Sequence, residues 1–249
     1  MKLKNKIALV TGGARDIGRA VSLTLAKEGA SVVINYYDNE EQAKETLQMI
    51  NDIGGKAIIV QGDMTKWDSV QNLSAKAVEA YGKIDILVNV AGGLMGRHLI
   101  TEMQEEFWDL VMNLNLKSVY YVCKAVIPNM NDGGAIVNFT SQAARDGGGF
   151  GAIAYATAKG GVLTFTRGLA KELGPKRIRV NAVSPGMINT TFHDQFTKPE
   201  IREKVAASTP LGREGNAQEV ADLVLFLASD SSSFINGESV EINGGIFFS

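Results

Sequence analysis

The feature that most constrains this chain is an alternation. Short apolar, β-branched runs recur along its length: KIALVTG, SVVINYY, KAIIVQGD, IDILVNVAG, GAIVNFTS, RIRVNAVSPG and ESVEING. Between them lie longer stretches at the helical period, over 17–28, 39–53, 66–81, 103–130, 155–173 and 217–229. Strand, helix, strand, repeated in this way, makes βαβ crossovers, and these build a parallel sheet with helices on both faces. The strand runs are apolar almost without a break, as strands covered on both sides must be. Gly29 supplies a stop between the first helical stretch and the second strand. The expected fold is α/β: one doubly wound domain over residues 1–249, with a seven-stranded parallel sheet. A chain of 249 residues with 45% hydrophobic content is long enough to bury such a core.

The alternation breaks once, over 186–216, where the pattern is weak and Pro199 and Pro210 fall. That stretch is expected to be either a lid over a substrate or a plain surface excursion. The charges nearly cancel, 25 Lys plus Arg against 27 Asp plus Glu, which gives no basic surface for nucleic acid or a membrane. Cys123 is the single cysteine, so no intrachain disulfide can form, and a reducing, cytoplasmic compartment fits. Its setting, YYVCKAV, reads as that of a small buried side chain. The apolar run in MKLKNKIALVTGG is too short for a signal-peptide core, and no run approaches a membrane span. His98 and His193 are the only histidines, and with no Cys/His cluster no catalytic metal is expected.

The segment VTGGARDIGRA occupies the first strand-to-helix junction. In an open parallel sheet, ligands gather at the carboxyl ends of the strands. Gly12 and Gly18 bracket the turn, six residues apart. Gly12 lets the chain turn sharply and lets backbone N–H groups approach a pyrophosphate; Gly18 lets the helix pack close to the sheet. Asp16 sits in the middle. It can be there because Asp tolerates unusual backbone angles. It can also be a helix N-cap, its carboxylate turned onto the free N–H groups of the first turn. The opposing reading is a site that rejects phosphate. The first two are preferred together, with Arg15 offsetting the charge.

This turn resembles the TGxxxGxG of the classical short-chain dehydrogenases/reductases, and three more motifs follow in order. NVAG at 89–92 resembles that family's NNAG, Tyr155-Ala-Thr-Ala-Lys159 its YxxxK, and SPG at 184–186 its PG. The resemblance covers nearly the whole chain. It implies a Rossmann-type domain, a nicotinamide dinucleotide, and hydride transfer between that cofactor and a carbonyl or secondary alcohol. Asp16 for the middle glycine and Val90 for the second Asn are departures. By resemblance, the cofactor lies along Gly12, Arg15, Asp16, Ile17 and Gly18. It continues past Asp63 and Met64 to Asn89, Ala91 and Gly92, and ends near Tyr155, Lys159, Pro185, Gly186 and Ile188.

Strand two ends INYYD, so Asn35 and Tyr36 stand where an acid would select NAD. Neither is acidic, and Arg15 can meet a 2′-phosphate. Asp38 leans the other way. NADP(H) is the preferred expectation, with NAD(H) possible. Asp63 resembles the family's adenine-contacting Asp, and a turn or N-cap role is compatible with that.

Tyr155 and Lys159 are four apart, hence on one helix face. A phenol with pKa near 10 is a poor acid or base at pH 7, and a fixed ammonium stabilises its anion. A shift of about three units takes about 4 kcal/mol. Ser141 ends strand five, where its hydroxyl can bond a substrate carbonyl oxygen. By resemblance, Tyr155 is the general acid/base, Lys159 also binds the nicotinamide ribose, and Asn115 holds a kinked helix beside the lysine. Asn113 competes with Asn115, which NLKS favours.

The pocket rim is expected to hold Arg97, His98, Gln142, Arg145, Asn189, Thr190 and His193. That polar set suits a carboxylated keto-sugar of the keto-uronate kind, unless Arg97 and Arg145 are merely solvated. The alternative is a 3-oxoacyl-carrier-protein reductase. Carrier proteins are acidic and need a basic dock, yet IPNMNDGG has no cation and PKRIR at 175–179 is one patch. A third reading, a catalytically disabled dinucleotide sensor, rests on Asp16 and Val90. The small residues of AYATAKGG and the aromatics Trp108, Tyr120 and Tyr121 suit helix contacts between subunits. With the resemblance, they imply a homotetramer.

Overall fold

The computed structural model describes residues 1–248, apart from the side chain of His193. Seven strands form one sheet in the order β3-β2-β1-β4-β5-β6-β7, and every neighbouring pair is parallel. Its first half runs β1 (Ile7–Thr11), α1 (Asp16–Lys27), β2 (Ser31–Tyr36), α2 (Glu40–Asp52), β3 (Lys56–Gln61), α3 (Trp67–Tyr81) and β4 (Ile84–Asn89). Then come α4 (Glu105–Met112), α5 (Ser118–Val126), β5 (Met130–Phe139), α6 (Ala143–Asp146), α7 (Ile153–Leu173) and β6 (Arg179–Pro185). The chain ends with α8 (Thr191–Phe196), α9 (Pro199–Ser208), α10 (Ala217–Ala228) and β7 (Ser239–Ile242).

Successive strand side chains enter two different cores, one on each face, because the pleat alternates them. Ala8 and Val10 join Val21, Leu25, Ile50, Val224 and Leu227, which come from α1, α2 and α10. Leu9, between them, joins Leu73, Val122, Val162 and Leu169, from α3, α5 and α7. This double covering is why the strands read as unbroken apolar runs. Strand order reverses between β1 and β4, where Thr11 pairs with Asn89. That switch point opens the crevice in which doubly wound sheets bind ligands.

Two stretches differ from the sequence expectation. The helix that the periodicity runs unbroken over 103–130 is interrupted by a π turn at Asn113–Lys117, where the resemblance implies a kink at Asn115. There the Asn115 side chain donates to the Val111 carbonyl (2.9 Å) and to Gly93 O (2.8 Å), drawing the helix towards the loop after β4. A 3₁₀ turn at Ile127–Asn129, which contains Pro128, then ends it. The weakly patterned stretch at 186–216 contains α8 and α9. No residue of α9 is buried, so it has no apolar stripe to betray it. No helix among the described residues is long and apolar enough to cross a membrane.

Candidate active site

The cofactor turn follows β1 directly. Gly12 has φ +62°, and a Cβ there would lie 3.2 Å from the Ala91 backbone. A Cβ on Gly18 would sit 1.9 Å from the Gly12 carbonyl oxygen, so any side chain there would close the turn. Behind the turn, Asn35 is buried and fully engaged. It accepts from Gly12 N–H (3.3 Å) and donates to the Gly62 (3.1 Å) and Val60 (3.3 Å) carbonyls. Its side chain thus braces the turn from behind, and Tyr36 is also buried. What β2 offers a ribose is chiefly the absence of an acid.

The Asp16 readings divide. Its φ of +49° is the unusual angle expected of it. The capping expectation is overturned: Arg15 holds the N-cap position of α1, and no side chain caps that helix. Asp16 lies one residue inside, past the position from which a carboxylate reaches the first-turn N–H groups. It points across the crevice instead, accepting from Thr191 N–H (3.1 Å) and the Thr191 hydroxyl (2.5 Å). Arg15 Nε is 3.8 Å from the same carboxylate. An uncapped helix start, with Gly12 and Gly18 keeping the approach clear and the acid turned aside, fits a pyrophosphate.

Further along the crevice, Asp63 accepts from Thr65 N–H (2.8 Å) and the Thr65 hydroxyl (2.7 Å), fixing the turn before α3, and Met64 is buried beside it. Asn89 donates to Asn138 Oδ1 (2.9 Å), while its own buried Oδ1 has no partner among the described residues. Ala91 N–H donates to Thr11 (3.3 Å). Val90 packs partly buried against the apolar cluster on one face, which explains an apolar residue there. A Cβ on Gly92 would lie 2.7 Å from Asn115 Oδ1 and 3.2 Å from Lys159 Nζ, so a side chain there would push on both of these polar groups. Gly186 N–H donates to Ile242 (3.0 Å), anchoring the turn after Pro185, and Ile188 is buried beyond it.

Lys159 is buried on α7, its Nζ 5.7 Å from the Tyr155 ring centre and donating to Phe139 O (2.9 Å). Burial lowers its pKa to about 8. Burial pushes the Tyr155 phenol up, against a hydrogen bond from Ser141 that draws it down. Ser141 is held where β5 gives way to α6, its Oγ accepting from Ala143 N–H (3.2 Å). Asn115, fully buried in the π turn, also accepts from Gly93 N–H (2.9 Å). The helix break thus brings Asn115, Gly92 and Lys159 together.

The expected pocket rim is less open to an anion than its composition implies. Arg145 pairs with Glu241 at 3.2 Å, both side chains largely buried, so its charge is already met. Arg97 is exposed and donates to the Phe150 carbonyl (3.1 Å), and His98 packs at a tilt against Phe107, with 4.2 Å between ring centres. Gln142 donates to Asp146 (2.9 Å), Asn189 accepts from Arg202 (2.9 Å), and Thr190 donates to Ile188 O (3.1 Å). The His193 side chain lies outside the described residues. Sequence reasoning missed Phe192, whose ring centre is 6.3 Å from that of Tyr155 and 5.3 Å from that of Phe196. Two phenylalanines four apart in TFHDQF were the available signal. Cys123 is buried, and burial pushes its thiol up to about 12. Among the described residues, no three His, Cys, Asp or Glu side chains gather where a metal could sit.

A glycine turn at the switch point of a seven-stranded sheet, with a buried lysine beside a tyrosine at its carboxyl edge, defines a dinucleotide-dependent oxidoreductase. The family model described as enoyl-(acyl carrier protein) reductase matches residues 12–247. The 3-oxoacyl-[acyl-carrier-protein] reductase FabG of Thermotoga maritima is 39% identical over 248 residues, 99% of each chain. A dehydrogenase/reductase of Sinorhizobium meliloti 1021 superposes with a TM-score of 0.95 at 32% identity, over 99% of this chain and 97% of that one. A blue fluorescent protein from a metagenomic library, in complex with NADPH, superposes over the whole of both chains with a TM-score of 0.93 at 30% identity. The chain belongs to the short-chain dehydrogenases/reductases, NAD(P)-dependent enzymes that act on carbonyl and hydroxyl groups.

Proposed function

We propose that this protein reduces the keto group of 3-oxoacyl thioesters, with NADPH as the reductant. The observation that carries this reading is the 39% identity, along almost the full chain, to a 3-oxoacyl-[acyl-carrier-protein] reductase. It replaces the keto-uronate as the preferred substrate. That choice leaned on Arg97 and Arg145 as anion-binding cations, and Arg145 is spent on Glu241. NADPH is favoured by the absence of an acid at the end of β2, by Arg15 beside the turn, and by the structural relative in complex with NADPH.

Each residue role follows from its place. When bound, the nicotinamide supplies the hydride. Tyr155 gives its proton to the carbonyl oxygen; burial raises its pKa where the sequence reading expects a lowering, so the phenol is protonated at neutral pH but a weaker acid, a cost that the Ser141 hydrogen bond offsets in part. Ser141 donates to the same oxygen as charge develops on it. Lys159, charged below about pH 8, stabilises the phenolate left behind. Asn115 holds the loop at Gly92–Gly93 against that lysine. The exposed Leu110, Tyr120 and Ile153 suit helix contacts in a homotetramer.

The test is a substrate panel with NADPH and NADH: an acetoacetyl thioester, a crotonyl thioester, a keto-uronate and a neutral ketone. The acetoacetyl thioester with NADPH should give the highest kcat/KM. A clear preference for the keto-uronate, or for the crotonyl double bond, overturns the proposal.

A further inference from the structure

Asp16 stands at a cofactor turn, yet both of its carboxylate oxygens bond Thr191, 175 residues away at the start of α8. It does so from a left-handed backbone angle, φ +49°, which glycine would adopt without strain. The bonding is specific: one oxygen takes the Thr191 N–H and the other its hydroxyl.

Among the described residues, the ties around α8 lie mostly within its own stretch of chain. α9, which follows, buries no residue. The bonds of Arg202 in α9 run to Asn189, Asp194 and Glu214, all within the same excursion. On the near side the segment is anchored at Asn189, whose N–H donates to Gly215 O (2.9 Å). Thr191 is therefore the point where α8 is fastened back to the cofactor end of the sheet. Its neighbour Phe192 carries the ring that faces Tyr155.

We propose that Asp16 is a positioning residue, a latch that holds α8 over the crevice and thereby keeps Phe192 against Tyr155. The carboxylate acts on the substrate side of the site from the cofactor side of the chain. Arg15, 3.8 Å away, offsets its charge where a pyrophosphate would approach. The latch rests on this geometry and not on which carbonyl compound is reduced.

The experiment compares Asp16→Gly, Asp16→Asn and Thr191→Val with the wild type. Glycine keeps the backbone angle and removes the carboxylate. Asparagine keeps an acceptor and tolerates the angle. Valine removes only the Thr191 hydroxyl. Limited trypsin digestion of the free protein reads opening of the segment at Lys198, Arg202 and Lys204. Asp16→Gly should be cut about tenfold faster there, as loss of hydrogen bonds to a charged group implies. It should also raise KM for the carbonyl substrate while NADPH Kd stays within about threefold. Asp16→Asn should recover most of both losses, and Thr191→Val should fall between. Unchanged digestion in Asp16→Gly overturns the latch. So does a loss of NADPH affinity of about tenfold with substrate KM unmoved, which would place the carboxylate on the cofactor.

Discussion

The turn between β1 and α1 and the excursion at 186–216 meet at Asp16 and Thr191, and are built by opposite means. The turn is fixed by exclusion. Gly18 leaves no space for a Cβ, Gly12 turns at φ +62° with Ala91 close against it, and the strand before them is buried on both faces. Between its buried ends at Ile188 and Thr209, the excursion is held largely by polar bonds. α9 buries nothing, and Arg202 gathers three acceptors around one guanidinium. Close packing tolerates almost no change, whereas exposed hydrogen bonds yield gradually. The cofactor end should therefore behave as a rigid wall, and the substrate end as a cover that opens at little cost.

Gly18→Ala should produce the largest effect. Its Cβ meets the Gly12 carbonyl at 1.9 Å, so the turn must shift. A stability loss of about 3 kcal/mol is expected, with loss of dinucleotide binding, read by chemical denaturation and cofactor titration. Near-normal values for both would mean that the wall is not rigid.

Next in size is a pH effect at the wall's buried lysine. Burial lowers Lys159 from 10.5 to about 8, so the folded protein releases that proton before the unfolded chain does. Between about pH 8 and 10.5 the unfolded state binds more protons, and this group's contribution to stability should rise with pH. Activity should move the other way: kcat/KM for reduction should fall above about pH 8 as the ammonium is lost. A profile flat to pH 9.5 would remove Lys159 from its role.

Arg202→Met should give the smallest global effect. It removes bonds to Asn189, Asp194 and Glu214, yet global stability should change by about 1 kcal/mol or less, because Asn189 and Asp194 are exposed and all three partners lie within the excursion. Digestion within 198–204 should quicken all the same. A large drop in global stability would mean that the excursion is part of the core.

The same contrast explains what the sequence could disclose. The strands and the glycine turn were legible because burial and steric exclusion write themselves into residue type at fixed spacing. Tyr155, Lys159 and Ser141 were legible as a resemblance, and the sheet edge on which they lie followed from the strand pattern. Asp16 was half legible. Its residue type disclosed the backbone angle, but its partner stands 175 residues away and no local pattern names it. Arg145 read as a free cation because Glu241, 96 residues on, meets it only in the folded sheet. The helix break at Asn113–Lys117 was absent from the helical period, which runs through it unbroken, and only the resemblance, which implies a kinked helix at Asn115, disclosed it.

The central claim is that Tyr155 delivers the proton in carbonyl reduction at this site. Single-turnover reduction of an acetoacetyl thioester by NADPH, in wild type and Tyr155→Phe at pH 7, tests it most directly. The account predicts a loss of about a hundredfold or more in the rate for Tyr155→Phe, with NADPH Kd unchanged because the ring still packs. A variant that keeps more than about a tenth of the wild-type rate would contradict it.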